Sequence, residues 1–244
     1  MMKNKKKISN SIEIKTSFNG GALTNYSGIK PIQKFMDKLG VAKSLNTLGI
    51  KLHHNAKHDT GTILSILILG IISGMNRISK IENFTHDPLL QKIFGLSGKI
   101  SDSAIIDRLK RFGMKQSSEF MGIIGEISNT VHKKLGNSYD ILDLDSSVKT
   151  VYGNQEGAEK GFNEKKRGAK SYHPLMAFLN STRECLLSWL RPGNTYTANG
   201  ADEFIKQTFA MLPKSLKSLL VRADSGFFSD KLISVIEKRK GAGK

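Results

Sequence analysis

The chain has 244 residues, of which 39% are hydrophobic and 24% are charged, a balance that supports one or two folded domains and excludes global disorder. Its 38 Lys and Arg residues against 21 Asp and Glu give a formal net charge of +17, which favours a polyanionic partner such as nucleic acid. The longest apolar run, 63–72, is too short to span a membrane. The single cysteine excludes an internal disulfide and a cysteine-built zinc site and fits a reducing cytoplasm.

The N-terminal half reads as a basic arm followed by helices. Residues 1–28 are rich in lysine and predict a flexible arm. Apolar residues then recur at helical spacing over 29–135. Asp59 with Thr60 predicts the cap of an apolar helix over 62–74, and a further helix is predicted over 117–134.

A possible helix-turn-helix follows within this region. Pro88 predicts the start of a short helix that ends before a glycine-containing turn, and Ser101 or Asp102 predicts the cap of the next helix. We expect its exposed face to carry three basic residues, Arg108, Lys110 and Arg111. An ordinary helical hairpin with a solvated basic face explains the pattern somewhat better than a base-reading module.

The second half, 136–244, has the alternating apolar pattern of strands. In chain order we predict strands over 139–145, 171–178 and 184–190, a helix over 199–211, a strand over 216–222 and a helix capped by Ser229. The middle pair of strands is expected to form a hairpin. The segment therefore predicts a mixed α/β fold with one crossover helix.

Acidic residues stand at two of the predicted strand ends. Asp143 and Asp145 are two apart, so on a strand they share one face while Leu142 and Leu144 face the core. Asp224 directly follows the last predicted strand. Two neighbouring carboxylates suit divalent metal and phosphoryl transfer. Equally, Asp145 and Asp224 are typical caps of strand-to-loop turns.

Four segments, in order, carry a family resemblance. They are DLDSSVKTVYGNQEGAEKGF (143–162), KRGAKSYHPL (166–175), RPGNT (191–195) and RADSGFF (222–228). Together they resemble the core of bacterial insertion-sequence transposases of the Asp-Asp-Glu superfamily, and the helical first half resembles that family more loosely. The resemblance implies a ribonuclease-H-like core within an α/β (α+β) chain.

The resemblance also implies catalytic roles. Asp145, directly before a serine, corresponds to the first catalytic Asp, Asp224 corresponds to the second, and Asp143 is the alternative first ligand. These carboxylates would hold Mg²⁺ or Mn²⁺. The family's third acid, a glutamate on a late helix, is expected beyond residue 244, and Glu237 comes too early, so a truncated copy is the simplest expectation.

A basic segment between the two acids predicts contacts with DNA phosphates. The candidate residues are Lys165, Lys166, Arg167, Lys170, Tyr172 and His173. A solvated charged loop is the alternative explanation of the same pattern.

Three other residue types have ordinary explanations. The histidines at 53, 54 and 58 lack the cysteines or acids of a metal site, and a polar interhelical loop accounts for them. Trp189 and Cys185 are expected to pack in or beside the core.

These observations predict three regions: an arm over 1–28, a helical DNA-contacting region over 29–135, and a partial catalytic core over 136–244. The expected function is cut-and-paste transposition of double-stranded DNA at element ends and target, by a homodimer in the cytoplasm, associated with the nucleoid. The chain itself is expected to be inactive because its third acid is missing. A non-enzymatic DNA-binding remnant or regulator is the alternative, and a metal nuclease of the same fold is a third possibility.

Overall fold

The computed structural model describes residues 23–242. Most of the predicted basic arm lies outside the described residues. The chain divides into two compact units, one holding the residues up to Asn46 with Ile50–Arg111, the other holding Thr47–Gly49 with Phe112 onward. Each unit is described by itself below. None of the helices described within 23–242 is long and apolar enough to cross a bilayer.

The first unit is helical. Its helices are α1 Ile29–Lys38, α2 Val41–Asn46, α3 Thr60–Ile72, α4 Ile78–Thr85, α5 Pro88–Phe94 and α6 Asp102–Lys110. The core is formed by apolar side chains of α3, α4 and α6, with Ile66, Ile81, Phe84 and Ile105 almost completely buried.

Local capping chemistry sets these helix starts as the sequence predicts. The Asp59 carboxylate accepts a hydrogen bond from the Thr62 amide at 2.7 Å and caps α3. At α6 the cap is Ser101, whose hydroxyl accepts from the Ala104 amide at 3.2 Å. Between α5 and α6, Gly95 adopts the left-handed conformation that ends a helix.

One expectation for α6 is wrong. Arg108 does not lie on an exposed basic face: only 4% of the residue is accessible to solvent. It follows Ile105 by three positions and so shares the buried face of the helix. Lys110 is exposed, and Arg111 is half-buried and paired with Asp107.

The second unit begins with a long helix and contains two sheets. Its elements are α7 Met114–Leu135, β1 Tyr139–Ser146, β2 Lys149–Thr150, β3 Glu159–Lys160, β4 Lys170–Tyr172, β5 Leu175–Leu179, β6 Glu184–Trp189, α8 Ala201–Met211, β7 Ser218–Arg222, the 3₁₀ turn Ser225–Phe227, and α9 Asp230–Ala242. The boundary between the compact units thus lies after Arg111, whereas the sequence pattern changes from helical to strand-like after residue 135.

The main sheet has the order β6-β5-β1-β7. β5 pairs antiparallel with β1 and β6, and β7 pairs parallel with β1 after the crossover through α8. This mixed α/β arrangement, a strand, a hairpin, a helix and a parallel strand, confirms the ribonuclease-H-like fold class. Leu142 and Leu144 of β1 are buried against Phe204 of α8 and Phe227, so the opposite face of β1 carries Asp143 and Asp145.

The predicted strand over 171–178 is two strands in different sheets. Pro174, which has no amide hydrogen for a ladder, lies between β4 and β5. β4 turns away to pair with β2 and β3 in a small sheet of its own. These two-residue strands are too short to leave a periodic signal in the sequence, and they were not predicted.

Candidate active site

The pairing of β1 with β7 brings the two predicted acids to one edge of the sheet. The strands run parallel, and the register ends with Asp143 opposite Arg222. Two residues further along each chain stand Asp145 and Asp224. The carboxyl ends of adjacent parallel strands therefore present both carboxylates at the same edge.

Each of these carboxylates has one oxygen engaged locally. Oδ1 of Asp145 accepts from the Ser146 amide at 2.7 Å. Oδ1 of Asp224 accepts from the Gly226 amide at 2.8 Å and caps the 3₁₀ turn, so the turn-capping role expected from the sequence is real for Asp224. Both residues are exposed, and neither Oδ2 has a hydrogen-bond partner among the residues described. Capping thus leaves one oxygen of each acid available.

Asp143, the alternative first ligand, is already paired. Arg222 donates from Nε to Oδ1 at 2.6 Å and from Nη2 to Oδ2 at 2.9 Å. The hydrogen bonds and the charge of Asp143 raise the pKa of Arg222. A bidentate arginine uses both oxygens of the carboxylate, so Asp143 is less available for metal than Asp145.

A cleft of about 940 Å³ borders this edge of the sheet. Asp224 and Ser146, the neighbour of Asp145, line it together with Lys165, His173 and the loop over 193–197. The structure thus brings residues of all four sequence motifs around one cavity.

Buried Arg191 organises the loop that walls the cleft. Its Nε donates to the His173 carbonyl at 3.1 Å, and its Nη1 donates to the carbonyls of Tyr196, Thr197 and Asn199 at 3.3, 3.3 and 2.8 Å. Burial lowers the pKa of Arg191. One guanidinium thereby fixes several backbone segments.

The same loop is tied to the end of β1. The hydroxyls of Thr197 and Ser146 lie 3.3 Å apart and share a hydrogen bond. A side chain on Gly193 would collide with the Ser171 side chain and the Glu159 carbonyl, so this close approach requires glycine. The loop position relative to Asp145 therefore depends on Arg191, Gly193 and Thr197.

His173 has a defined tautomer when neutral. Its Nδ1 lies 2.6 Å from the Thr195 carbonyl, and because a carbonyl only accepts, Nδ1 carries the hydrogen. Nε2 of neutral His173 is then an acceptor on a residue that lines the cleft.

The predicted basic segment forms a loop stabilised by Asn163. The Asn163 side-chain oxygen accepts from the amides of Lys165 and Lys166 at 3.1 and 3.0 Å. The side chains of Lys165, Lys166 and Arg167 are exposed, and Lys166 lies 4.8 Å above the Tyr152 ring.

The two remaining residues of this prediction lie on β4. Lys170 is half-buried there, and the Tyr172 hydroxyl donates to the Glu156 carbonyl at 2.5 Å. Of the six predicted DNA-contacting residues, Lys165 and His173 line the cleft that Asp224 borders, while Tyr172 has a structural contact of its own.

Sequence comparison identifies the family. A family model described as a transposase DDE domain, group 1, matches residues 6–242. The chain belongs to this family. Among curated proteins, no sequence matches this transposase domain.

Three solved structures resemble the transposase domain weakly. A Mos1 transposase paired-end complex with the left transposon end is 12% identical, with 91% of this chain and 68% of that chain covered and a TM-score of 0.31. A Mos1 mariner paired-end complex with Mn has the same identity and coverage and a TM-score of 0.29. A pre-cleavage Mos1 transpososome is 11% identical, with 88% and 76% covered and a TM-score of 0.28.

In the described part of the transposase domain, no third acid is grouped with Asp145 and Asp224 so as to share a metal ion. Within residues 23–242, no three His, Cys, Asp or Glu side chains are grouped so that they could hold a metal ion. Glu237 lies on α9, and no described contact joins it to Asp145 or Asp224.

Two packing expectations have different outcomes. Trp189 packs edge-on against Phe204 with ring centroids 5.3 Å apart, and its indole donates to Gln207 at 3.2 Å, so its core-packing role is confirmed. Cys185 is exposed, not buried, because its position on β6 faces away from α8.

The sequence did not indicate the supporting residues. Arg191, Thr197 and Asn163 have no catalytic residue type or spacing that singles them out. The RPGNT segment carried a resemblance but no role, and only the tertiary structure shows which carbonyls its arginine binds.

Proposed function

We propose that this transposase domain cleaves and joins DNA by metal-dependent phosphoryl transfer, with Asp145 and Asp224 as metal ligands. One observation carries the proposal: adjacent parallel strands end at two carboxylates, each with an oxygen that no described residue binds. The chemistry is hydrolysis of a phosphodiester at the element end, followed by attack of the freed 3′-hydroxyl on target DNA.

The donor set fits Mg²⁺ or Mn²⁺. Both ions take hard oxygen ligands. Arg222 does not take the place of a metal ion at these carboxylates, because its guanidinium is bound to Asp143. Two uncompensated carboxylates at one edge repel each other until a cation lies between them. A bound divalent ion would stabilise charge on the attacking and leaving oxygens of the phosphodiester.

The chain's own residues then position DNA. The exposed Lys165, Lys166 and Arg167 lie where they can hold backbone phosphates, and Lys165 and His173 line the cleft beside Asp224. Arg191 keeps the loop over 195–199 in place. Catalysis on this proposal comes from positioning and from charge stabilisation.

The proposed partners are double-stranded DNA at element ends and target, and a second copy of the chain. A homodimer would hold one element end per copy, in association with the nucleoid.

The third carboxylate is the critical requirement. The described residues supply two acids, so we expect no specific cleavage unless a further ligand joins them. The test incubates the protein with Mn²⁺ and DNA carrying the element ends, and measures binding and cleavage of those ends. The proposal expects end binding that Mn²⁺ strengthens, without specific cleavage; the Mn²⁺ effect should be lost on Asp145→Asn or Asp224→Asn and kept on Asp143→Asn.

Two outcomes would overturn parts of this proposal. End cleavage by the 244-residue chain, abolished by Asp145→Asn, would mean that an acid within it completes the site. End binding that does not depend on Mn²⁺ and that Asp145→Asn leaves unchanged would favour the alternative function, a DNA-binding regulator.

A further inference from the structure

A pocket in the helical unit contains a buried arginine without a partner. The pocket measures about 580 Å³ and lies between the segment that precedes α3 and the N-terminal part of α6. Arg108 lines it with 4% of the residue exposed, and its Nε and Nη1 are buried and make no hydrogen bond to any described residue. A buried charge normally has a partner.

The nearby acids do not supply that partner. The Asp107 carboxylate is held by Arg111, with Nε–Oδ2 and Nη2–Oδ1 distances of 3.0 and 3.2 Å. Asp59 accepts from the Thr62 amide and from the Asn46 side chain. Among the residues described, no carboxylate lies within ion-pair distance of Arg108.

The rest of the lining combines two lysines with polar and apolar residues, and its one carboxylate is Asp107, which Arg111 holds. Lys57 and Lys99 border the pocket, and Lys99 is also paired with Glu82 at 2.6 Å. His58 presents a buried Nε2 without a partner, and burial lowers the pKa of His58, so the ring is neutral at pH 7. Ala104, one turn before Arg108 on α6, is too small to fill the space.

Helix geometry directs Arg108 toward this space. Side chains on a helix lean toward its N-terminus, so Arg108 extends over Ala104 toward the N-terminal end of α6. A guanidinium presents a planar fork of donors that matches a tetrahedral oxyanion.

We propose that this pocket binds a phosphate group through Arg108, with Lys57 and Lys99 at its rim. The pocket has room for the phosphate and for the groups attached to it. The phosphate can come from the DNA backbone or from a free phosphate. The DNA source rests on the proposed function, whereas binding of inorganic phosphate does not.

The first measurement is thermal unfolding of the full chain in inorganic phosphate, compared with chloride at the same ionic strength. The second is the salt dependence of its binding to a short DNA duplex. Phosphate should raise the melting temperature of the wild type by a few degrees. Arg108→Met should melt no lower than the wild type without phosphate, because an unpaired buried charge is removed, and should lose the response to phosphate.

Two lysine variants complete the design. Lys57→Ala, at an exposed position on the rim, should weaken phosphate binding about threefold or more, and the matched control Lys80→Ala on α4 should not change it. If Arg108→Met does not fold, an unchanged phosphate response in Lys57→Ala overturns the proposal.

The duplex identifies the source. A DNA source predicts that the slope of log affinity against log salt falls by about 0.9 in Arg108→Met, the value for one neutralised phosphate. An unchanged slope together with an abolished phosphate response identifies a free phosphate. The proposal is overturned if phosphate raises the melting temperatures of wild type and Arg108→Met equally. It is also overturned if phosphate raises neither melting temperature and the two proteins have the same salt dependence of DNA affinity. The Mn²⁺ dependence of element-end binding in Asp145→Asn tests the proposed function separately.

Discussion

Replacing Arg191 by methionine should destabilise the sheet-containing unit strongly. The guanidinium donates four hydrogen bonds to the carbonyls of His173, Tyr196, Thr197 and Asn199. Hydrogen bonds to a charged group contribute about 1.5–3 kcal/mol each to stability. Methionine also removes the cost of burying the guanidinium charge, which offsets several kcal/mol of the lost hydrogen-bond energy. We expect a net loss of about 3–5 kcal/mol, as for other buried charges that lose their partners.

The assay is thermal unfolding followed by circular dichroism. At about 3 °C per kcal/mol for a unit of this size, the midpoint should fall by about 10–15 °C. Arg191→Lys should lie between methionine and wild type, because an ammonium cannot reach all four carbonyls. The control is Arg239→Met, an exposed arginine that stacks on Phe209, which should cost about 1 kcal/mol or less. Equal midpoints for the Arg191 and Arg239 variants would refute the organising role of Arg191.

Two further predictions concern DNA affinity and helix capping. The first changes four basic residues to alanine, namely Lys165, Lys166, Arg167 and Lys170. The slope of log affinity for duplex DNA against log salt concentration should then flatten by about 0.9 for each phosphate that is no longer neutralised. An unchanged slope would mean that the segment does not contact the DNA backbone. Asp59→Ala should cost about 1 kcal/mol at neutral pH because the α3 cap is removed. Burial acts to raise the pKa of Asp59, but hydrogen bonds from Thr62 and Asn46 outweigh it and lower the pKa below the ordinary 3.8. The stabilisation is therefore full above pH 3.8 and should shrink as pH falls through the lowered pKa; chemical denaturation of both proteins across that range checks it.

The elements with strong local signals could be predicted from the sequence. Alternation over 139–145 identified β1, and Asp59 and Pro88 marked the helices that they begin. Side-chain direction along β1 followed from the two-residue period, which placed Asp143 and Asp145 opposite the core.

The features that could not be predicted depend on contacts between distant residues. The pairing of Asp143 with Arg222, 79 positions away, decides which acid of β1 is free. Arg108 stood out only as one of three basic residues on a helix, and it is buried in a unit in which α6 contacts α3 and α4. The break at Pro174 was visible, but the pairing of β4 with two-residue strands was not.

Binding of Mn²⁺, followed by the loss of its free-ion electron paramagnetic resonance signal, tests the assignment of the metal ligands most directly. We predict that Asp145→Asn and Asp224→Asn each weaken binding by about tenfold or more, and that the double variant is little worse than either single one because the residues share one site. Asp143→Asn, whose carboxylate is held by Arg222, should bind Mn²⁺ about as well as wild type. Undiminished binding in the Asp145 and Asp224 variants, or the largest decrease in Asp143→Asn, would contradict the assignment of the site.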